Sequence, residues 1–372
     1  MERTYKILTI NPGSTSTKIA LFENREKVFS VNVAHDAGQL KAFKDIPEQL
    51  PYRSALIHRE LEKGAVSLDG VDAVVGRCGG IEPLPGGVYA INDLLLEHSM
   101  AGRVTKHPAN LGARLAHDFA APFGAATFIV NPPDTDELQA IARVSGFVDV
   151  HRVSKGHPLN QKEVGIRHAA SIGRRYEDLN LVIAHIGGGI SVTAHERGRM
   201  VDTTNCIDGD GTMAPTRAGG IAAVSLIRMC FSGKYTEKEM VDRITKRGGL
   251  VDHLGTADAR EIMGRIEQGD GYAKLVYDAM IYQVCKDIGA YATVLRGDVD
   301  AILLTGGLSN DAYLVERITS RIHYIAPVIA YAGEFEMEAM AAGAIRVLSG
   351  KESPRTYTGE PVWKGFEALK VN

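Results

Sequence analysis

The stretch Lys6-Ile-Leu-Thr-Ile-Asn-Pro-Gly-Ser-Thr-Ser-Thr-Lys-Ile-Ala-Leu-Phe22 joins an apolar run to a turn rich in hydroxyl groups. A glycine, a cluster of hydroxyls and a lysine after an apolar strand suggest phosphate binding. P-loop spacing is absent, because Gly13 is the only glycine in the stretch. After the turn, Thr17, Ile19 and Leu21 alternate with their neighbours, which predicts a second strand and not a helix. The stretch therefore predicts a hairpin whose turn faces an anion.

The same pattern recurs in the second half of the chain, in Leu181-Val-Ile-Ala-His-Ile-Gly-Gly-Gly-Ile-Ser-Val-Thr-Ala194. The run Gly187–Gly189 alone fits a sharp hairpin without a ligand equally well. Two such hairpins indicate a duplicated domain, in which each half offers one phosphate-facing turn. A third glycine pair, Gly306-Gly307, ends the run Ile302–Thr305 before a helical segment, where a planar base could lie against bare backbone.

Compact apolar runs alternate with longer segments of helical periodicity, which is typical of layered α/β proteins. The runs that predict strands are Ile7–Ile10, Ala73–Val75, Thr127–Val130, Leu181–Ile186 and Ala301–Leu304. The segments that predict helices are Leu111–Ala121, Gln161–Tyr176, Ile221–Phe231, Lys274–Leu295, Ala312–Ile322 and Glu336–Leu348. The stretch Val148–Pro158 carries His, Lys, Gly and Pro and is a candidate crossing between two halves.

Composition argues against several classes of partner. The 372 residues carry a formal net charge of -3 and only 6% aromatic residues, so neither nucleic acid nor an anionic membrane surface is expected as a partner. The four cysteines form no CxxC pair, which favours reduced thiols. Met1–Lys6 runs directly into an apolar strand-like segment, so we expect no signal peptide, and no apolar run reaches the roughly 20 residues of a membrane span. We expect a cytoplasmic protein.

Taken in order, the two hairpins and the glycine pair resemble the phosphate and adenosine motifs of the acetate kinase, sugar kinase, Hsp70 and actin superfamily. Within it, four further stretches resemble the carboxylate kinases: Gly76-Arg-Cys-Gly-Gly80, Lys106-His-Pro-Ala-Asn110, Ala214-Pro-Thr-Arg-Ala-Gly-Gly220 and Gly333-Glu-Phe-Glu-Met-Glu-Ala-Met-Ala341. The stretches that resemble the butyrate kinases most closely are Asn11–Lys18, His185–Ser191 and Pro215–Gly220. The resemblance covers essentially the whole chain.

The resemblance implies a duplicated, actin-like and ribonuclease H-like α/β fold. Each domain would be a mixed five-stranded sheet flanked by helices, with an interdomain nucleotide cleft. The N-terminal domain would span residues 1–150 and take back a C-terminal helix at about 347–372, and residues 151–346 would form the nucleotide-binding domain. Family members assemble through that second domain, so a homo-oligomer is expected.

The same resemblance implies reversible transfer of a phosphoryl group from ATP to a short-chain carboxylate, with ADP and an acyl phosphate as products and Mg²⁺ as metal. Small residues beside Arg77, namely Cys78 to Gly80, leave room for a longer acyl tail and favour butyrate, with acetate, propionate, isobutyrate and other branched acids as alternatives. An ATPase switch of the actin or Hsp70 type is the rival interpretation.

Such a transfer brings two anions together, so the site must supply cations and N–H donors. Arg77 and Arg217 lie in glycine-flanked segments, and the resemblance assigns both to the carboxylate and the phosphoryl group. His107 would donate to the transferring phosphoryl group. The family's second catalytic histidine has no direct match, which leaves Gln161 or His157 as candidates.

The other candidates carry ligand or metal roles by resemblance. Asn131 stands where an arginine-orienting aspartate is expected, and could act only as a neutral acceptor. Glu336, with Asn11 as companion, would lie near the metal, although carboxylates in a first helical turn also complement the macrodipole. The expected nucleotide-binding residues are Asn11, Gly13, Ser14, Thr15, Ser16, Lys18, His185, Gly187, Gly188, Gly189, Ser191, Gly306, Gly307 and Asn310. An exposed strand lysine is an equally good interpretation of Lys18.

Overall fold

Strands and helices alternate along the chain in the computed structural model, which describes residues 3–367. The strands are β1 (Lys6–Pro12), β2 (Ser16–Glu23), β3 (Glu26–Ala34), β4 (Ala73–Gly76), β5 (Val88–Ala90), β6 (Ala126–Val130), β7 (Val144–Phe147), β8 (Val150–His151), β9 (Asn180–Ile186), β10 (Ile190–Glu196), β11 (Arg199–Thr203), β12 (Ala301–Gly306), β13 (Val328–Ala332) and β14 (Arg355–Thr356). The α-helices are α1 (Ala37–Ala42), α2 (Leu50–Lys63), α3 (Asp93–Ala101), α4 (Gly112–Ala120), α5 (Pro158–Ser171), α6 (Ala223–Cys230), α7 (Glu237–Thr245), α8 (Leu250–Leu254), α9 (Ala259–Glu267), α10 (Gly271–Val294), α11 (Ala312–Ile322) and α12 (Glu336–Leu348). Every strand and helix predicted from the apolar runs is present.

The chain divides into two compact units. The first runs through Asp136 and resumes at Phe335, and the second comprises Glu137–Glu334. The expected boundaries at 150/151 and 346/347 thus differ from the observed divisions. The helix that returns to the first unit is α12, and it ends at Leu348. The expected helix at 347–372 is wrong for the described residues, which form turns and β14 there, and residues 368–372 lie outside the described residues.

The first unit is built on a mixed sheet in the order β14-β5-β6-β4-β1-β2-β3. β1 pairs antiparallel with β2 and parallel with β4, so the first hairpin lies beside the carboxyl end of β4. Gly76 and Gly112 let the N-terminus of α4 approach this edge, because a Cβ on Gly76 would lie 2.0 Å from the Gly112 carbonyl oxygen. That close approach places Arg77, the residue after Gly76, at the end of β4 and beside the first hairpin.

The sheet of the first unit has seven strands among the described residues, which corrects the expected five. The additional edge strands β5 and β14 have three and two residues, too short to produce a hydrophobic run that sequence patterns can detect. β14 pairs with β5, and β5 pairs with β6, so both extend one edge of the sheet.

The second unit has the expected five-stranded sheet, in the order β11-β10-β9-β12-β13. Every residue of β9 is buried, as is typical of a central strand covered on both faces. The long helix α10 packs its apolar side on this sheet and contributes Tyr277, Met280 and Val284 to the core. A separate two-stranded ribbon joins β7 and β8. Within residues 3–367 no helix is both long and apolar enough to cross a membrane.

Candidate active site

The first predicted turn is a tight hairpin at the end of β1. The Gly13 backbone N–H donates to the Ser16 carbonyl at 2.7 Å, and a Cβ on Gly13 would lie 3.2 Å from that oxygen. Ser14 and Thr15 lie at the tip, where Ser14 is exposed, whereas Thr17 is buried. Ordered hydroxyls and N–H groups at an exposed tip can bind an anionic oxygen. Lys18 is exposed on the strand that follows.

Three residues distant in sequence meet beside this turn. Arg77 follows β4, and its backbone N–H donates to the Ile10 carbonyl at 2.9 Å. Its guanidinium pairs through Nη1 with Oε1 of Glu336, the first residue of α12. The Asn11 side-chain amide donates to the other oxygen of the same carboxylate at 2.8 Å. Glu336 therefore links Arg77 to the first hairpin.

His107 lies across the same turn. Its Nε2 is 3.3 Å from the Ser14 hydroxyl, and its Nδ1 accepts the Ala109 backbone N–H at 3.1 Å. Local burial, and then the charges of Arg77 and Arg53, lower the pKa of His107 below its ordinary value. Because Nδ1 accepts a hydrogen bond, the neutral ring carries its proton on Nε2. His107 thus presents an N–H donor beside Ser14.

Asn131 hydrogen-bonds to the backbone of Gly87 through both its side chain and its main chain. Its Oδ1 accepts the Gly87 backbone N–H at 2.8 Å, and its own N–H donates to the Gly87 carbonyl at 3.0 Å. The residue is buried and has a φ of 37°, a left-handed value that asparagine tolerates better than most residues. These two hydrogen bonds join Gly87 to Asn131 next to the paired residues Val88 and Val130, where β5 and β6 meet.

The second predicted turn connects β9 to β10 and is covered by an arginine-bearing loop. The Thr216 hydroxyl donates to the Gly188 carbonyl at 2.9 Å. Arg217 lies so close to Gly189 that a Cβ there would be 1.7 Å from its Nη1, and Nη1 also donates to the Cys206 carbonyl at 2.7 Å. The structure therefore brings Arg217 onto the second turn, as a half-buried cation.

A histidine pair lies beneath the second turn. The rings of His157 and His185 stack with centroids 3.8 Å apart, and His157 Nδ1 is 2.7 Å from the Ser191 hydroxyl. The Asn160 amide reaches His185 Nδ1 at 2.8 Å and the Thr305 hydroxyl at 3.0 Å. His157 is half-buried, whereas the other side chains of this group are buried.

Gln161 is fully buried and lies one residue beyond this group. Its Nε2 donates to the Ser191 carbonyl at 3.1 Å and lies 3.0 Å from the Ser191 hydroxyl. Of the two candidates, His157 is therefore the more exposed, and Gln161 holds Ser191.

The glycine pair after β12 is where the sequence placed it. Gly306 has a φ of 90°, and a Cβ there would lie 2.4 Å from the Ile186 carbonyl oxygen, so only glycine fits. Gly307 is exposed, and a Cβ there would meet nothing within 4 Å, which leaves its face open. The Asn310 amide donates to the Gly307 carbonyl at 2.9 Å and shapes this short turn.

Sequence reasoning missed Thr216 and Asn160 as parts of these arrangements. Thr216 lies inside the quoted stretch Ala214–Gly220, and Asn160 lies next to Gln161, so proximity to a motif was the available signal. Neither residue type identifies a site alone, because threonine and asparagine are common in loops and helix starts. Their contacts to Gly188 and His185 depend on tertiary packing.

Comparison with known proteins supplies the family. The model of the Acetokinase family matches residues 152–332. Butyrate kinase 2 of Clostridium acetobutylicum is 45% identical over 353 residues, covering 95% of this chain and 99% of the relative. A probable butyrate kinase of Clostridium botulinum is 43% identical with the same coverage.

Solved structures confirm the expected fold class. Porphyromonas gingivalis acetate kinase superposes with a TM-score of 0.77 at 20% identity, covering 92% of this chain and 100% of that one. A propionate kinase from Francisella tularensis gives a TM-score of 0.69 at 20% identity, covering 91% and 98%. These likenesses concern the fold alone.

Proposed function

The chain belongs to the acetokinase family, and on that premise we propose that it is a carboxylate kinase that phosphorylates butyrate reversibly with ATP. The observation that carries the proposal is the meeting of Arg77, Glu336 and Asn11 beside an exposed hydroxyl turn. A site that joins a carboxylate to a phosphoryl group needs a planar cation and N–H donors at one place. The names of the relatives supply the substrate class.

Arg77 would bind the acid substrate. A guanidinium offers several N–H donors, and Glu336 occupies Nη1, so the remaining donors can grip a carboxylate. Pairing with Glu336 also fixes the direction of the long side chain, which reduces the entropy lost on binding. His107, as a neutral donor at Nε2, would hydrogen-bond the transferring phosphoryl group beside Ser14.

The metal expected for ATP chemistry is Mg²⁺, and Glu336 with Asn11 fits it. Mg²⁺ takes one or two protein oxygens and completes its shell with phosphate and water, so a cluster of acidic ligands is not required. The Glu336 carboxylate accepts hydrogen bonds from Arg77 and Asn11, and each carboxylate oxygen can accept more than one such contact. When bound, the ion would neutralise phosphate charge.

In the second unit, the turn Gly187–Gly189 would bind nucleotide phosphates, with Arg217 supplying positive charge. His157 would donate from its half-exposed ring, oriented by Ser191 and by stacking on His185. The open face of Gly307 is suited to an adenine ring. These assignments rest on exposure, charge and hydrogen-bonding capacity.

Butyrate is proposed over shorter acids because of the space beside Arg77. A Cβ on Gly79 would lie 3.5 Å from Asp134 Oδ2 and 3.6 Å from Pro133 Cγ, which is ordinary van der Waals contact. A glycine there leaves the room of a side chain for the acyl tail. One methylene changes binding by about 1–3 kcal/mol, so discrimination against neighbouring acids would be modest.

We also propose a homo-oligomer formed through the second unit, in the cytoplasm where ATP is available. None of the residues of α6 is buried, although Val224 and Ile227 are apolar, and Phe231 after it is 87% exposed. An apolar helix face of this kind is suited to a second copy of the chain. An Ile227→Glu variant should lower the mass measured by analytical ultracentrifugation, and an unchanged mass would exclude this face.

The function is tested by measuring ADP release from ATP with and without butyrate in a coupled assay. The proposal expects ADP release to depend on the acid and to collapse in Arg77→Ala. ADP release that ignores butyrate would favour the ATPase switch. Arg114→Ala, which removes an exposed arginine paired with Asp118 on α4, is the matched control and should keep wild-type turnover.

A further inference from the structure

Arg53 is a buried cation with only neutral partners. The residue is fully buried in the first turns of α2. Its Nε and Nη2 donate to the Gln49 side-chain oxygen at 3.0 and 2.9 Å. Its Nη1 donates to the Thr17 hydroxyl and to His35 Nε2, both at 2.9 Å. No carboxylate among the described residues pairs with it.

This arrangement is unfavourable for a cation in three ways. Burial removes hydration, the N-terminal end of a helix repels positive charge, and an amide stands where a glutamate of the same shape would form an ion pair. Burial accordingly lowers the pKa of Arg53 to about 10. Four of the five guanidinium N–H groups donate to Gln49, Thr17 and His35, so the buried charge is hydrogen-bonded but not neutralised.

The charge lies directly behind the first turn. Thr17 begins the buried part of β2 three residues after Ser14, and the His35 backbone N–H donates to the Thr15 carbonyl at 2.9 Å. The same His35 ring accepts a hydrogen bond from Arg53, so His35 contacts both the guanidinium and the turn. After burial and the charge of Arg77, the charge of Arg53 lowers the pKa of His107, which lies across the same turn.

We propose that Arg53 is a positioning residue whose missing counter-ion is the phosphoryl group bound at the first turn. The inference rests on the proposed function for the identity of the anion. A buried charge is screened little by salt, so it can act on a bound phosphate without touching it. Arg53 thus contributes a fixed positive field to the turn and holds Thr17 and His35 behind it.

Gln49→Glu tests the proposal without removing any side chain. The new carboxylate would pair with Arg53 and supply the counter-ion permanently, so the fold should gain or keep its Tm. Stabilisation by added inorganic phosphate, measured as the rise in Tm, should shrink, and kcat/KM for butyrate should fall about tenfold, equivalent to about 1.4 kcal/mol. Gln39→Glu, which adds the same charge at an exposed position of α1, is the control and should change neither quantity.

The pKa of the His107 imidazole, measured by NMR, distinguishes an electrostatic role of Arg53 from a purely structural one. Only an electrostatic role would change this pKa when Arg53 is neutralised. The charged groups around His107 are Arg77, Arg53 and Lys106, of which Arg77 pairs with Glu336 and Lys106 with Asp45 at 2.6 Å. Neutralising Arg53 through Gln49→Glu should raise this pKa, whereas the exposed control should leave it unchanged.

Arg53→Lys and Arg53→Gln separate charge from hydrogen bonding if Gln49→Glu is unstable. The proposal expects the lysine variant to retain more phosphate stabilisation than the glutamine variant, and the reverse order would overturn it. Wild-type phosphate stabilisation and wild-type His107 pKa in Gln49→Glu would overturn it as well. If the wild-type enzyme does not phosphorylate butyrate, the proposed function fails, and the phosphate and NMR measurements still decide the role of Arg53.

Discussion

Replacing Gly189 by alanine should displace Arg217 while leaving the fold nearly intact. The added Cβ would lie 1.7 Å from Arg217 Nη1 and 2.5 Å from its Cζ. Since non-bonded heavy atoms rest about 3.5 Å apart, the guanidinium must retreat by about 2 Å. The obstacle is the end of a flexible side chain, so the backbone of the turn need not move. The 2.7 Å hydrogen bond to the Cys206 carbonyl would be lost or stretched.

The expected loss of activity follows from that displacement. Misplacing a catalytic group by about 1 Å can cost about 100-fold in rate, so kcat/KM should fall by about 100-fold or more. The free energy of unfolding should fall by only about 1.5–3 kcal/mol, the value of one hydrogen bond to a charged group. Both quantities are measurable on the same preparations, by a coupled ADP assay and by urea unfolding.

Gly264→Ala makes the same chemical change on α9, away from the turn, and serves as the control. A Cβ on Gly264 would meet nothing within 4 Å, so this variant should retain wild-type activity. Wild-type kcat/KM in Gly189→Ala would show that the displacement of Arg217 does not matter for turnover. Equal losses in Gly264→Ala and Gly189→Ala would show that the effect does not pass through Arg217.

Three further predictions concern other parts of the molecule. Gly79→Val should lower kcat/KM for butyrate about tenfold relative to acetate, because the new side chain takes the acyl space; an unchanged ratio in competition assays would place the tail elsewhere. Burial lowers the pKa of His35 from 6.5 to about 4, so folded His35 stays neutral where the unfolded chain binds a proton. The contribution of neutral His35 to the free energy of unfolding should be complete above pH 6.5 and should fall by roughly 3 kcal/mol as the pH drops towards 4. His35→Gln should reduce this pH dependence, measured by urea unfolding. For each variant, the fall in kcat is compared with the fall in Tm. His157→Asn should lose more kcat for a given fall in Tm than Gln161→Leu, and the opposite order would assign the donor role to Gln161.

The sequence predicted those parts of the site that depend on local patterns. Alternation of apolar residues placed both hairpins, and flanking glycines placed Arg77 at the end of a strand. Local patterns could not predict hydrogen bonds between residues that are distant in the chain. Glu336 meets Arg77 across 259 positions and Asn11 across 325, and only the family resemblance suggested that Glu336 belonged to the site.

Burial was the second property that patterns did not supply. Gln161 and Asn131 are polar residues in motif-like positions, and both prove to be buried supports of the backbone. Arg53 was not singled out, because a lone arginine in a helical segment is usually solvated. Its buried state depends on packing between α2, β2 and the residues around His35.

Trapping the acyl phosphate with hydroxylamine would show whether this protein phosphorylates a carboxylate. Purified protein would be incubated with ATP, Mg²⁺ and, separately, acetate, propionate, butyrate, isobutyrate and isovalerate. We expect butyryl hydroxamate in amounts equal to the ADP formed, a larger amount than the hydroxamate formed from acetate, and no hydroxamate from Arg77→Ala. ADP formation without any hydroxamate, whichever acid is present, would contradict this expectation.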